Sequence, residues 1–309
     1  MTMVDDQKRR FMRALLSLEG LSVGDALGER FFFRGSRAPI MIARRELPPP
    51  RWDYTDDTRM ALSIVAILHE YGEIDQDALA AHFAKLYVEE PRRGYGPAMH
   101  DLLPALHFGH SWREQASALF GGMGSFGNGA AMRIAPLGAY FADDLDRVAS
   151  EAERAAVITH AHPEAVVGAI AVAIATAHAV RSRESSPVPD WRTFFDVVLL
   201  HVPASEVHHN LQKARDLSDD LTLEEVCGRI GNGSQISAQD TVPFVLWCAA
   251  HHLHNFEEAI WTTLGGFGDI DTNAAMVGGI VAPVVGLEHI PTVWRKAREP
   301  LPDWLPILQ

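Results

Sequence analysis

Two short acidic stretches hold the residues best suited to chemistry. Residues 268–273 read GDIDTN and run into AAMVGGIVAPVVG, while residues 54–60 read YTDDTRM. In each, two carboxylates and a threonine hydroxyl stand at the head of an apolar run: Asp269, Asp271 and Thr272 in one, Thr55, Asp56 and Asp57 in the other. Taken singly, either stretch is explained as a helix start, because Asp and Thr are favoured N-caps and acids in a first turn complement the helix dipole. Taken together, four carboxylates with flanking hydroxyls form a hard-oxygen ligand set of the kind that holds magnesium or manganese. Asp56 and Asp269 are 213 residues apart. They form one site only if helix packing joins them, and their combined charge then calls for cations between them. A pair of ions about 3.5–4 Å apart would acidify a bridging water and hold it as nucleophile.

A third stretch, GGMGSFGNGAAMR at 121–133, suits phosphate binding. Gly122, Gly124 and Gly127 match the letters GxGxxG, but residues 112–120 have a helical pattern and no βαβ unit surrounds the loop, so a dinucleotide fold is not expected. There is no GK[ST] and hence no P-loop. What remains is a loop whose glycines expose backbone N–H groups, with Ser125 and Asn128 as further donors for a diphosphate and Phe126 as a stacking platform. A plain turn between two helices is the competing reading.

Helices must position these residues. Apolar residues recur three and four apart around Phe11–Leu18, with an end expected near Gly20, and again over 60–68 and 77–89. Further helices are expected at 143–160, 163–181, 191–201, 222–231, 241–252, 256–264 and 272–282. The one strand candidate is IMIA at 40–43. The fold class is therefore all-α, a single compact multi-helix domain over residues 1–309. Breaks fall at 46–53, 121–129, 183–190 and around Pro203, and the loops at 46–55, 91–97 and 121–130 are where function can sit.

Composition removes several classes. Forty acids against 27 bases give a formal charge of -13, so a free nucleic acid is not expected as partner. The uncharged apolar stretch at residues 165–180 is shorter than the roughly 20 residues of a membrane span and is read as a buried core helix. Cys227 and Cys248 carry no disulfide or zinc spacing, which fits a reducing cytoplasm. No secretory signal pattern is read at the N-terminus.

Six blocks, GDALG (24–28), YTDDT (54–58), RGYGP (93–97), GNGAAMRIAPLG (127–138), THAHPEAVVGA (159–169) and GDIDTNAAMVGGIVA (268–282), stand in the order found in the ADP-ribosylglycohydrolases. The chain resembles that family from residue 11 to about 287. The resemblance implies an all-α domain with two magnesium or manganese ions that hydrolyses the bond between ADP-ribose and an acceptor. It implies that Thr55, Asp56, Asp57, Asp269, Asp271 and Thr272 are metal ligands, with Asp56, Asp57 and Asp271 as catalytic residues. Gly124, Ser125, Phe126, Gly127, Asn128 and Gly129 would form the diphosphate and ribose loop, Gly94 and Gly96 the loop beside the reacting sugar, and His160 a contact on the adenosine side. The partner would be an ADP-ribosylated protein or an ADP-ribose-containing small molecule, and a monomer is expected.

One position departs from the family pattern. Family members commonly have a glutamate seven residues after the aspartate of GDALG, where this chain has Phe32; Glu29 lies nearby but out of register. A protein that binds ADP-ribose without cleaving it is therefore one alternative. The others are a dehalogenase-type phosphatase using Asp269 and Asp271 after a strand, and a metal phosphohydrolase using His100 and Asp101.

Overall fold

The computed structural model describes residues 3–32, 35–183 and 190–305, and among them there are helices and no strand. In chain order they are α1 (Met3–Phe32), α2 (Ala38–Ala43), α3 (Asp56–Tyr71), α4 (Gln76–Glu89), α5 (Met99–His107), α6 (Trp112–Gly122), α7 (Ala135–Tyr140), α8 (Leu145–Ala156), α9 (Pro163–Ser182), α10 (Trp191–His201), α11 (Glu206–Arg215), α12 (Leu223–Ile230), α13 (Ala238–His251), α14 (Phe256–Gly265), α15 (Ile270–Val285) and α16 (Thr292–Ala297). The expected all-α class is what the chain adopts.

The central element is α15, every residue of which is buried. A helix that is small and apolar all round can be covered on every side, and α1, α9, α13 and α14 cover this one. The tightest seam is with α1. Gly20, Gly24 and Gly28 recur every four residues and so share one face. A Cβ on Gly20 would lie 2.3 Å from Ala282 Cβ, one on Gly24 2.0 Å from the Ala274 carbonyl oxygen, and one on Gly28 2.5 Å from Asp271 Cα. Only glycine permits that approach, which runs antiparallel and brings the end of α1 to the start of α15. The expected end of the first helix near Gly20 is thereby corrected: these glycines are contacts, not stops, and α1 continues to Phe32.

Two other expectations change. IMIA is helical within α2, with Pro39 in its first turn and Ile42 buried, and no strand pairs with it among the described residues. Sequence periodicity does not announce α11, a polar helix started by Ser205, whose oxygen accepts from the His208 N–H, with only Val207, Leu211 and Ala214 buried. The break at 183–190 lies mostly outside the described residues. By length and composition α9 could cross a membrane, but it lies inside the fold, against α7, α8, α10, α13 and α15.

Candidate active site

The two acidic stretches meet. Thr55 is the N-cap of α3, its oxygen accepting from the Asp57 N–H at 3.3 Å, so Asp56 and Asp57 occupy the first turn. Asp269 sits at the N-cap of α15 without capping it, and Asp271 and Thr272 occupy that first turn. The capping logic of the sequence therefore holds for Thr55 and does not exclude a site. Both helix N-termini face a common centre, where their partial positive charge favours anions.

The seam with α1 adds a third element. Asp25, one residue beyond Gly24, is fully buried, and its carboxylate joins those of Asp57 and Asp271 with one oxygen of each within 4.8 Å of the others. Asp25 accepts from the Thr55 N–H at 3.0 Å, Thr55 Oγ1 at 2.9 Å, the Thr58 N–H at 3.1 Å and Thr58 Oγ1 at 2.5 Å. Four donors fix it in place and tie α1 to the cap of α3. Sequence reasoning missed it as a site residue; the available signal was a lone carboxylate between two glycines in an apolar helical run.

Asp57 and Asp271 are differently placed. Each is buried with an Oδ1 that has no hydrogen-bond partner. Burial pushes both carboxyls well above the usual range, and neighbouring carboxylates add to it. The same causes, desolvation first and Asp25 next, hold Asp56 up to about 8, and burial holds Asp25 up to about 6. Buried carboxylate oxygens without donors, gathered at two helix N-termini, fit a cation, because the helix ends supply only partial charges against several carboxylates. The cluster can hold a metal ion.

These acids floor a cavity of about 680 Å³. It is lined by Asp56, Asp57, Asp269, Asp271 and Thr272, by Gly94 and Gly96, and by Ser125, Phe126, Gly127, Asn128, Gly129 and His160. Two picked residues lie outside that lining. Thr55 faces an adjoining cleft, and Gly124, at φ +74°, lies where a Cβ would be 2.6 Å from the His162 nitrogen. Gly94 has φ +92° and sits where a Cβ would come within 3.3 Å of Asp56 Oδ1, so the loop can pass directly over that carboxylate.

The glycine loop is pinned to the start of α13: Asn128 N–H donates to Ile236 O at 3.3 Å and Ala238 N–H to Phe126 O at 3.0 Å. One expectation is corrected here. Asn128 spends its amide donors on Thr241 Oγ1 at 3.1 Å and Asp269 Oδ2 at 2.7 Å, so they steady the acidic cluster instead of facing a diphosphate. Ser125 Oγ accepts from the Gly127 N–H at 3.2 Å. The N–H groups of Ser125 and Phe126 have no partner among the described residues. Phe126 is half-exposed, its ring 6.3 Å from Phe120 and 5.5 Å from His162.

Glu29 and Phe32 both line the cavity. Glu29 is one turn beyond Asp25, and burial followed by the charge of Asp25 raises it to about 7. Phe32 is exposed and brings no carboxylate. The histidine alternative finds no support in the geometry: His100 Nδ1 pairs with Tyr87 Oη at 2.8 Å and is not in the cavity lining. The phosphatase alternative needs a strand before Asp269, where the chain has α14 and a short turn.

The family model for ADP-ribosylglycohydrolase matches residues 5–308, and the chain belongs to that family. It is 30% identical over 274 residues to ADP-ribosylhydrolase ARH3 of Bos taurus, covering 80% of this chain and 74% of that protein. To ADP-ribosylhydrolase ARH3 of Gallus gallus it is 30% identical over 329 residues, covering 91% and 88%. A solved structure described as an ADP-ribosylglycohydrolase-related protein complex shares the fold, with a TM-score of 0.68 at 24% identity over 94% of each chain.

Proposed function

We propose that the protein hydrolyses the glycosidic bond joining ADP-ribose to an acceptor, either a protein side chain such as arginine or serine or a small molecule. The observation that carries this reading is the pair of donorless carboxylate oxygens on Asp57 and Asp271 at the floor of a cavity whose other end is the glycine loop. Thr55, Asp56, Asp57, Asp269, Asp271 and Thr272 would hold two magnesium or manganese ions, which when bound supply Lewis acidity and neutralise the clustered charge.

The chain's own residues do the rest. The free N–H groups of Ser125 and Phe126 bind the diphosphate, the Phe126 ring stacks on the adenosine, and His160 closes that side. With the nucleotide held there, the reacting ribose lies over the acids beneath Gly94 and Gly96, so positioning contributes much of the rate. Asp56 or Asp57 orients a water and takes its proton as general base. As the acceptor departs, positive charge grows at the anomeric carbon, and the surrounding carboxylates stabilise it. Glu29 is the α1 carboxylate that reaches the same cavity. We also place the protein in a reducing cytoplasm, as a monomer.

Binding without cleavage is the second reading, motivated by Phe32. The deciding experiment is mass-spectrometric detection of free ADP-ribose released from arginine-linked and serine-linked ADP-ribosyl peptides with magnesium, manganese or EDTA. Metal-dependent release from one substrate, abolished in Asp271→Asn, is expected. Binding of ADP-ribose with no release from any linkage would favour the second reading, and full activity in Asp271→Asn would rule the scheme out.

A further inference from the structure

Arg133 ends the GNGAAMR stretch, and its side chain is wholly buried. No carboxylate forms a salt bridge with it among the described residues, and only the more distant charge of Asp56, in the same cavity lining, favours its ionised form. Its Nη1 donates to Met60 Sδ at 3.5 Å, its Nη2 to Ala155 O at 3.3 Å and to Thr159 Oγ1 at 2.8 Å, and its guanidinium carbon lies 4.6 Å from the centre of the Phe83 ring. A cation buried on such terms is costly and calls for a function.

The donor count supplies one. A guanidinium only donates, so Thr159 Oγ1 must accept from Arg133. The hydroxyl then has one hydrogen to give, and its other side-chain partner among the described residues is His160 Nδ1 at 2.7 Å. The hydroxyl could also accept from a protonated Nδ1, but its own hydrogen would then have no acceptor among the described residues, so an accepting Nδ1 is the arrangement that satisfies both groups. In a neutral imidazole the hydrogen then sits on Nε2. Burial, with the nearby Arg133 charge, lowers the His160 pKa to about 3, in keeping with a neutral ring.

The free end of the ring faces the glycine loop. A Cβ on Gly129 would lie 2.9 Å from His160 Nε2, and one on Gly127 3.4 Å from it. His160 lines the cavity beside both. We infer that Arg133, acting through Thr159, locks His160 as a neutral Nε2–H donor to an acceptor oxygen of the bound nucleotide, which makes Arg133 and Thr159 positioning residues. This inference rests on the ADP-ribose reading for its ligand, but the state of the ring can be measured without any ligand.

The first readout is long-range proton–nitrogen NMR of the histidine rings in labelled full-length protein, with His160 assigned by its loss in His160→Gln. An Nε2–H tautomer unchanged between pH 5.5 and 8 is expected. The second is calorimetric titration with ADP-ribose in magnesium. Thr159→Val should weaken binding about tenfold and release the tautomer, and Thr159→Ser should restore both. His160→Gln, whose amide N–H can stand near the place of Nε2–H, should bind better than His160→Asn. An Nδ1–H ring in the unmutated protein overturns the inference, as does a folded Thr159→Val with unchanged affinity. Failure of the unmutated protein to bind ADP-ribose would instead sink the functional reading, and with it the ligand named here, while the ring measurement still decides the Arg133–Thr159–His160 arrangement.

Discussion

Replacing Gly24 with alanine adds one methyl group at the α1–α15 seam, where it meets backbone that cannot rotate away. The new Cβ would lie 2.0 Å from the Ala274 carbonyl oxygen and 2.6 Å from its carbon. Carbon–oxygen contact is normal at about 3.3 Å, so the helices must part by roughly 1.3 Å. Alanine gains about 1 kcal/mol of helix propensity over glycine, and overpacking of this kind costs about 1–3 kcal/mol, more where backbone opposes backbone. A net loss of about 1–2 kcal/mol follows, or roughly 2–8 °C in Tm. The chemistry should suffer more. Asp25 is the next residue and Asp271 lies one turn before Ala274, so the same parting spreads carboxylates now grouped within 4.8 Å. Displacement by about 1 Å can cost about 100-fold in rate. The control is Gly228→Ala in α12, where a Cβ meets nothing within 4 Å and alanine should be neutral or stabilising. Thermal melts and ADP-ribose release from the two variants are the assay. Wild-type melting and turnover in Gly24→Ala, or equal destabilisation by Gly228→Ala, would refute the seam argument.

Three further outcomes follow from the site. With EDTA present, Asp25 and Asp56, held up to about 6 and about 8, keep protons that the unfolded chain releases near its ordinary 3.8. The folded state then binds more protons, so stability falls as pH rises from about 4 towards 8, by up to about 1.4 kcal/mol per pH unit for each such carboxyl. Magnesium or manganese at pH 7.5 should recover it, and a melting temperature independent of pH in EDTA would contradict the assignment. Glu29→Gln should lower turnover by at least about tenfold if this carboxylate serves the reaction; an unchanged rate would restrict it to cavity wall. Phe126→Ala should weaken ADP-ribose binding by about tenfold, as loss of one stacked ring does, and unaltered affinity by calorimetry would place the adenosine elsewhere.

What could be read from the chain, and what could not, divides along the range of the interactions. The acid-and-threonine pattern before an apolar run is local, so Thr55, Asp56, Asp57, Asp269, Asp271 and Thr272 were visible from composition and position. Their convergence was not, because it depends on α1 and α15 approaching until backbone meets backbone. The residues that allow it are Gly20, Gly24 and Gly28; glycine is locally a poor helix former, which is why the sequence pattern points to an end near Gly20. Asp25 was missed with them. Asn128 shows the same limit: a donor in a glycine loop suits a phosphate, and only the fold reveals that Asp269 takes that donor. Short elements fared worst, since a six-residue segment such as α2 contains too few turns for its period to separate helix from strand.

The seam also explains why a centre so poorly suited to the apo chain can persist in it. Five aspartates, Asp25, Asp56, Asp57, Asp269 and Asp271, are held together by elements whose own stability comes from elsewhere: the fully buried α15, the glycine face of α1 and the capped start of α3. Each carboxyl is raised, so each works against the folded state at neutral pH. A helix packed this tightly cannot relax by letting its first turn swing into solvent, because Gly28 and Gly24 clamp it beside Asp271 and Ala274. The strain is therefore relieved only by bound protons or by a cation, and part of the free energy it costs the folded protein returns as affinity for a cation that displaces those protons. Loosening the seam should then weaken ion binding even when every candidate ligand is left in place.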